Sequence, residues 1–194
     1  REYRVAKDGS DTGTGKTVVA MHLAKELGLR PFVVCPKSVI PMWEEWHRAF
    51  FTDCDPLVFS YEKLKNGSTP YVRRRGKYYM WMVDPNRTLA IFDEDHRCKN
   101  SKSLNGKMLT GATKGRLYRL LLGATSCTNP TEMKHLGYAL GLHKGWNWYG
   151  WCFINGCQKK FHGGIEFRND LTVLSELHDL IYGSGGKGAR IRIK

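Results

Sequence analysis

A glycine-rich segment near the start of the chain constrains its fold more than any other feature. Residues 9–17 read GSDTGTGKT and lie between an apolar run at 3–6 and a segment of helical periodicity at 16–27. A loop between a strand and a helix can wrap a phosphate, because its glycines turn backbone N–H groups inward and the helix adds its positive end. Lys16 would bind the β and γ phosphates, and the Thr17 hydroxyl is a ligand type for Mg²⁺. The predicted ATP-binding residues are Ser10, Asp11, Thr12, Gly13, Thr14, Gly15, Lys16 and Thr17.

A second motif pairs two carboxylates with an apolar run. Residues 89–92 read LAIF and are followed by Asp93 and Glu94. Open α/β sheets bind ligands at the carboxyl ends of their strands, where these side chains would lie. Asp93 is expected to hold Mg²⁺, and Glu94 to orient or deprotonate the water that attacks the γ-phosphate. Lys16, Asp93 and Glu94 are therefore the predicted catalytic residues.

Short apolar runs alternate with helical patterns along the chain. The predicted strands are 3–6, 32–35, 57–59, 89–92 and 117–122, and the predicted helices are 16–27, 38–50, 171–181 and one opened by Pro130. This alternation predicts an α/β domain with a mainly parallel sheet between helices. In the first helix, Val19, Leu23 and Leu27 are expected to face the core. Residues 66–77 contain three turn-forming residues and are expected to form a protruding loop.

Several blocks resemble the motifs of a known family. Residues 9–17 and 93–96 resemble motifs I and II of the superfamily-two helicases, whose phosphate loops accept a small residue such as Ser10. The block 93–103, DEDHRCKNSKS, resembles the DEAH-x-x-Lys-Asn-x-x-Ser block of the Swi/Snf-type DNA translocases. Residues 33–46 resemble motif Ia, 60–64 the next block, and 119–129 motif III. The amino-acid sequences of these loops also resemble those of phage-encoded helicases.

This resemblance implies a RecA-like P-loop NTPase fold and movement on DNA, preferably duplex DNA, driven by ATP hydrolysis. It also implies that His96 and Thr125 couple the nucleotide site to nucleic acid. The implied nucleic-acid contacts are Pro36, Lys37 and Ser38 in motif Ia and Lys99 and Asn100 after motif II. Two positions depart from the pattern. Asp95 replaces the usual Ala of motif II and adds a third carboxylate beside the catalytic pair, and Ser126 replaces a frequent Pro in motif III.

The resemblance covers only part of a motor. The adenine-recognition segment would precede Arg1, and motifs IV to VI have no counterpart before Lys194. We therefore expect residues 1–182 to form the first RecA-like domain and 183–194 a basic linker toward a second one. Because an arginine finger from the second lobe is worth about 10³ to 10⁵ in rate, the isolated lobe is expected to bind ATP and turn it over very slowly.

Two alternatives stay open. The first is an RNA or single-strand helicase of the DEAD/DEAH type, against which Lys99, Asn100 and Ser103 argue. The second is a non-catalytic nucleic-acid-binding module that keeps the fold. The intact Lys16 and Glu94 argue against lost chemistry.

The charge of the chain favours a polyanionic partner. There are 31 Lys and Arg against 18 Asp and Glu, a net charge of +13, and most of it lies in the second half. Arg73, Arg74 and Arg75 lie among tyrosines, and we weigh phosphate binding and a solvated hairpin equally for them. A set of nearby aromatics could stack bases, but aromatics at this density are more typical of core; they are Trp146, Trp148, Tyr149, Trp151 and Phe153.

Cysteine usage and hydropathy bear on location. Six dispersed cysteines are typical of reduced thiols in a cytoplasmic or nuclear protein, not of a secreted disulfide framework. Cys152 and Cys157, with His143 and His162 nearby, have poor zinc spacing, and buried thiols are the favoured interpretation. No apolar run approaches the roughly 20 residues that a membrane span needs, and no secretory signal is seen.

Overall fold

The computed structural model of the chain describes residues 4–124 and 128–192. The predicted coupling residue Thr125 lies outside these ranges. The strands are β1 (Val5–Asp8), β2 (Arg30–Cys35), β3 (Leu57–Ser60), β4 (Val72–Arg75), β5 (Tyr78–Trp81), β6 (Thr88–Asp93), β7 (Tyr118–Leu122), β8 (Cys157–Lys159), β9 (Ile165–Phe167) and β10 (Gly188–Ala189). The helices are α1 (Lys16–Glu26), α2 (Ile40–Phe50), α3 (Tyr61–Lys65), α4 (Leu104–Lys114), α5 (Met133–Leu140), α6 (Trp148–Ile154) and α7 (Leu171–Tyr182).

Six strands form one sheet in the order β10-β1-β7-β6-β2-β3, and every neighbouring pair is parallel. The α/β class with a parallel sheet between helices is confirmed. Each predicted strand is present, but β1 runs from Val5 to Asp8 and so includes Lys7, which the sequence interpretation left outside it. This shift matters for the site described below.

Helices cover both faces of the sheet. Alternate residues of β2 point to opposite sides, so Phe32 and Val34 belong to one buried cluster and Val33 and Cys35 to another. The first cluster packs against α4 and α5, and the second against α1 and α2. Because both faces are covered, β2 and β6 contain continuous apolar runs at 31–35 and 89–92, as is common in parallel sheets.

The inward face of α1 differs from the expectation. Val19 and Leu27 are 55% and 53% exposed, whereas Ala20, Met21 and Ala24 are fully buried. Small alanine side chains allow this helix to lie close to the sheet. A stripe of larger residues at spacings of four was therefore the wrong guide to its buried face.

Residues 66–77, expected to be a loop, include a strand of a hairpin instead. Strands β4 and β5 are antiparallel, with Arg75 opposite Tyr78 and Gly76 in the left-handed region at φ 60°. The hairpin packs on α4, where a Cβ on Gly111 would come within 2.6 Å of the Tyr79 carbonyl oxygen. Packing against a helix explains the strands, because an isolated hairpin is marginal at best.

The aromatic segment from 146 to 161 is only partly core. Trp148 is buried with Cys152 and Cys157 in a small cluster beside the β8–β9 hairpin. Trp146, Tyr149 and Phe153, by contrast, are 83%, 55% and 46% exposed. The expectation of core is therefore wrong for these three side chains.

Residues 183–192 do not simply leave the domain, as a linker would. Gly188 and Ala189 pair in parallel with Lys7 and Asp8, which places β10 at the edge of the main sheet. Among the residues that the structure describes, no helix is long and apolar enough to cross a membrane.

Candidate nucleotide site and nucleic-acid surface

The loop between β1 and α1 has an open backbone suited to an anion. Gly13 and Gly15 have φ values of 86° and 80°, in the left-handed region that glycine adopts without strain. No atom lies within 4 Å of the position that a Cβ would take on either residue. Gly15 caps α1 without a side-chain hydrogen bond, so the first-turn N–H groups are not satisfied by a capping side chain. The loop therefore fits a phosphate group.

Lys16 holds its charge inside this loop. Its Nζ donates hydrogen bonds to the carbonyl oxygens of Ser10, at 2.9 Å, and Asp11, at 2.8 Å. The Thr14 hydroxyl donates to the same Asp11 carbonyl oxygen at 2.8 Å. The ammonium group is thus centred in the loop, where β and γ phosphates would bind.

The end of the chain supports the loop, a feature that the sequence interpretation missed. The Ile191 N–H donates to Ser10 Oγ at 2.9 Å, and the Asp11 N–H donates to the Ile191 carbonyl oxygen at 3.0 Å. Gly9 packs so closely on Tyr182 that a Cβ would clash with the phenol oxygen. Ser10 therefore contributes a structural hydrogen bond from the position where the general phosphate-loop pattern has glycine.

The sheet register brings the acidic motif to the loop. Asp8, the last residue of β1, and Asp93, the last residue of β6, both pair with Leu122 of the intervening strand β7. With neighbouring strands about 4.8 Å apart, the two strand ends are about 10 Å from each other. The predicted residues Lys16 and Asp93 thus lie at one edge of the sheet.

Asp93 is held by two donors. Its Oδ2 accepts a hydrogen bond from Trp43 Nε1 at 2.8 Å, and its Oδ1 accepts one from the Glu94 N–H at 3.0 Å. Burial raises the pKa of Asp93 above its usual value, while the Trp43 hydrogen bond and the nearby Lys16 charge act in the opposite direction. No local sequence pattern reveals this partner of Trp43, which lies 50 positions away along the chain.

Glu94 has a constrained backbone and a half-exposed carboxylate. Its φ of 54° and ψ of 55° place a non-glycine residue in the left-handed region, a conformation that carries strain and that clusters at functional sites. Its side chain is about half exposed, and its Oε2 lies 3.1 Å from His96 Nδ1. The structure therefore brings the predicted base and one predicted coupling residue together.

From its position beside the catalytic pair, Asp95 was expected to add a third carboxylate to the nucleotide site. The structure places it elsewhere. It is fully buried and lies 2.8 Å from Lys7 Nζ, whose side chain is only 2% exposed. Lys7 Nζ also donates to the Gly123 carbonyl oxygen at 3.1 Å. One buried cation therefore joins the ends of β1, β6 and β7.

The implied nucleic-acid residues occupy different places. Lys37 and Ser38 form a 3₁₀ turn, with Pro36 as its cap, directly after β2 at the carboxyl edge. Lys99 lies 3.1 Å from Glu132. Burial favours a raised pKa for Glu132, but the Thr128 N–H and Lys99 outweigh it and lower the pKa. Lys99 is thus an ion-pair partner in this structure.

The structure also places Asn100 and the three arginines predicted from the charge pattern. Asn100 accepts a hydrogen bond from the Lys102 N–H through its side chain at 2.9 Å. Arg73, Arg74 and Arg75 lie on β4, on the hairpin that packs against α4. They are therefore on a different element from the turn after β2.

The cysteines and histidines considered for zinc have other contacts. His143 Nε2 is 3.1 Å from the Met133 carbonyl oxygen, and the Cys152 thiol donates to the Pro130 carbonyl oxygen at 3.7 Å. Burial raises the pKa of Cys152 to about 12. Within 4–124 and 128–192, no group of three or more His, Cys, Asp or Glu residues is placed to hold a metal ion.

Comparison with known proteins gives two similarities. The chain is 35% identical over 158 residues to a protein of Acanthamoeba polyphaga mimivirus named "Putative ATP-dependent RNA helicase L364", a match of 69% of this chain and 28% of that protein. Its fold is similar to the Sulfolobus solfataricus SWI2/SNF2 ATPase core solved in complex with dsDNA. The TM-score is 0.58 at 18% identity, covering 96% of this chain and 40% of that one. No protein-family model matches.

The chain therefore spans less than half the length of either protein. The structural likeness shows the fold, and the viral relative is a helicase by name. Motif order, sheet topology and both similarities agree, and we conclude that the chain is a RecA-like, helicase-type domain of superfamily two.

Proposed function

We propose that this chain is the ATP-binding lobe of a motor that couples ATP hydrolysis to movement on DNA, with duplex DNA as the preferred track. The observation that carries the proposal is that strands β1 and β6 end at the same height in the sheet. Asp8, which leads into the phosphate loop, and Asp93 meet the same residue of β7. This arrangement supports a site in which Lys16, Asp93 and Glu94 act on one nucleotide.

Each residue has a distinct task in this proposal. Lys16 and the N–H groups of the loop bind the β and γ phosphates, and Thr17 and Asp93 hold Mg²⁺. When bound, Mg²⁺ neutralises charge that develops on the phosphates. Glu94 orients the attacking water, and the contact between Glu94 and His96 gives the base a fixed neighbour.

A second RecA-like lobe is the partner that we propose for this site. Glu94 and His96 are each about half exposed, so the catalytic carboxylate lies at an open surface. In the family, a second domain closes over the nucleotide and supplies arginine fingers. The isolated chain is accordingly proposed to bind ATP and to hydrolyse it slowly.

The preference for DNA rests on the block from 93 to 103 and on the structural neighbour, which was solved with dsDNA. The viral relative is named as an RNA helicase, and this favours RNA as the second candidate. Competition between unlabelled duplex DNA and RNA of the same sequence for the chain separates them. Stronger competition by RNA would overturn the DNA assignment.

The nucleotide site is tested by equilibrium binding of a fluorescent ATP analogue with Mg²⁺. Lys16→Ala removes a charge-assisted contact worth roughly 1.5–3 kcal/mol, so at least a tenfold loss of affinity is expected. Lys25→Ala, on the exposed side of the same helix, is the matched control and should bind as the wild type does. Equal binding by Lys16→Ala and wild type would refute the assigned site.

A further inference from the structure

A groove lies between α4 and α5, in the helical layer and away from the phosphate loop. Its volume is about 410 Å³, within the roughly 300–1,000 Å³ range of ligand pockets. The lining residues are Thr110, Lys114, Lys134, His135, Tyr138, Lys144, Gly145 and Trp146. We refer to these residues as the α4–α5 groove. Nothing in the nucleotide site described above uses them.

The groove is positively charged. Lys114, Lys134 and Lys144 come from α4, from α5 and from the loop after α5, so three separate segments converge on it. None of the described residues that line it is an Asp or Glu. A concave surface with one sign of charge attracts polyanions and concentrates them.

An exposed tryptophan stands at the edge of the groove. Trp146 is 83% exposed, whereas tryptophan side chains are highly buried on average. The loop that carries Trp146 is held by buried His143. The Nε2 atom of His143 lies 3.1 Å from the Met133 carbonyl oxygen, and its Nδ1 accepts a hydrogen bond from the Gly145 N–H at 3.0 Å. The Lys144 N–H donates to Asn147 Oδ1 at 2.9 Å. A fixed loop thus presents the ring and a lysine to solvent.

The charged surface continues onto the β4–β5 hairpin. Lys114 lines the groove, and its Nζ lies 5.8 Å from the centre of the Tyr78 ring. Tyr78 pairs with Arg75 across the hairpin, and Arg73 lies two residues before Arg75 on the same face of β4. Lysines, an exposed tyrosine and arginines therefore extend the groove in one direction.

We propose that the α4–α5 groove binds a single-stranded segment of nucleic acid. Lysines would neutralise its phosphates while an unpaired base stacks on Trp146, the combination by which proteins bind single strands without sequence preference. Only an unpaired base offers a free face to an exposed ring, because the bases of a duplex are stacked on each other. The proposal rests on the proposed function in one respect, that nucleic acid is a partner of the chain.

Binding of a fluorescently labelled oligothymidine to the 194-residue chain, followed by anisotropy, tests the groove. Trp146→Ala should weaken binding roughly 5- to 150-fold, the range for loss of one stacked base. The double variant Lys114→Ala/Lys144→Ala should lower the slope of log affinity against log salt by about 1.4, since each phosphate contact on a single strand contributes about 0.7.

A second exposed surface of similar chemistry provides the control. Phe161 is 98% exposed and follows Lys159 and Lys160 near the β8–β9 hairpin, so Phe161→Ala and Lys159→Ala/Lys160→Ala remove matching groups elsewhere. Both should bind oligothymidine as the wild type does. An equal loss of oligothymidine affinity in the groove variants and the control variants would mean that binding does not depend on the groove. That result would overturn the proposal.

Two further readouts separate the possible failures. A labelled duplex should be insensitive to Trp146→Ala, and an equal loss for duplex would overturn the single-strand assignment. Mg²⁺-dependent ATP-analogue binding and the melting temperature should be unchanged in Trp146→Ala, because this exposed side chain does not touch the nucleotide site. Retained ATP binding with no effect of Trp146→Ala on oligothymidine would refute the groove alone, whereas absent ATP binding would refute the proposed function.

Discussion

The buried pair of Lys7 and Asp95 gives the sharpest test of how this fold is held together. Two charges lie 2.8 Å apart with almost no solvent access, where β1, β6 and β7 end. Removing either partner leaves the other charge buried without its counterion. Removing both leaves no unpaired charge at this position, although the Gly123 carbonyl oxygen loses its Lys7 donor. The single and double variants should therefore differ greatly in stability.

The magnitude follows from the distance and the burial. At 2.8 Å and an effective dielectric constant near 20, the attraction is about 6 kcal/mol, and much of it offsets the cost of taking two ions out of water. Breaking one buried pair by removing a single partner typically costs about 3–5 kcal/mol. We expect this cost for Lys7→Met and for Asp95→Ala, and for each a fall in melting temperature of about 12 °C, at roughly 3 °C per kcal/mol for a domain of this size.

The double variant Lys7→Met/Asp95→Ala should recover most of this loss, because replacing both charges by apolar groups is often neutral. Urea unfolding of the four proteins gives the coupling energy directly, and we expect at least about 3 kcal/mol. Additive effects, or single variants within about 1 kcal/mol of the wild type, would refute the reasoning.

Three other predictions concern the site and its surroundings. Glu94→Gln should retain ATP binding and abolish turnover when a second lobe is supplied, and unchanged turnover in a phosphate-release assay would contradict its role. Trp43→Phe removes a hydrogen-bond donor from buried Asp93, so the pKa of Asp93 should rise further and Mg²⁺-dependent ATP binding should require higher pH, as a pH titration of binding would measure. Burial lowers the pKa of His135 from 6.5 to about 4. Between these two pH values the unfolded chain is protonated at His135 and the folded chain is not. Stability should therefore fall by about 1.3 kcal/mol between pH 7.5 and pH 5.5 through this residue, and urea unfolding of His135→Gln should lack that part of the pH dependence.

The residues proposed for the nucleotide site could be identified from the sequence because they lie in two short runs. The phosphate loop is one run of nine residues, and Asp93 and Glu94 end a single apolar strand. Each motif also carries its own structural setting, a strand before it and a turn or helix after it. A parallel sheet then brings the two motifs to one edge whatever the intervening loops do.

The contacts that hold the site depend on long-range pairing and could not be predicted. Lys7 meets a partner 88 positions away and Trp43 one 50 positions away. The hairpin that carries Arg73, Arg74 and Arg75 depends on packing against α4, which no pattern within residues 66–77 encodes. The alanine-lined face of α1 likewise depends on how closely the helix approaches the sheet.

The pairing of the last described residues with the phosphate loop has a consequence for how the protein is made. Ser10 and Ile191 share a hydrogen bond across 181 positions. At synthesis rates of about 5–20 residues per second, the later residue is added roughly 9–36 s after the earlier one. During that interval β1 lacks its neighbour β10, and Ser10 Oγ lacks the hydrogen bond from the Ile191 N–H. The nucleotide loop therefore reaches its final form only near the end of synthesis of this segment, and premature release of the chain would leave the loop incomplete.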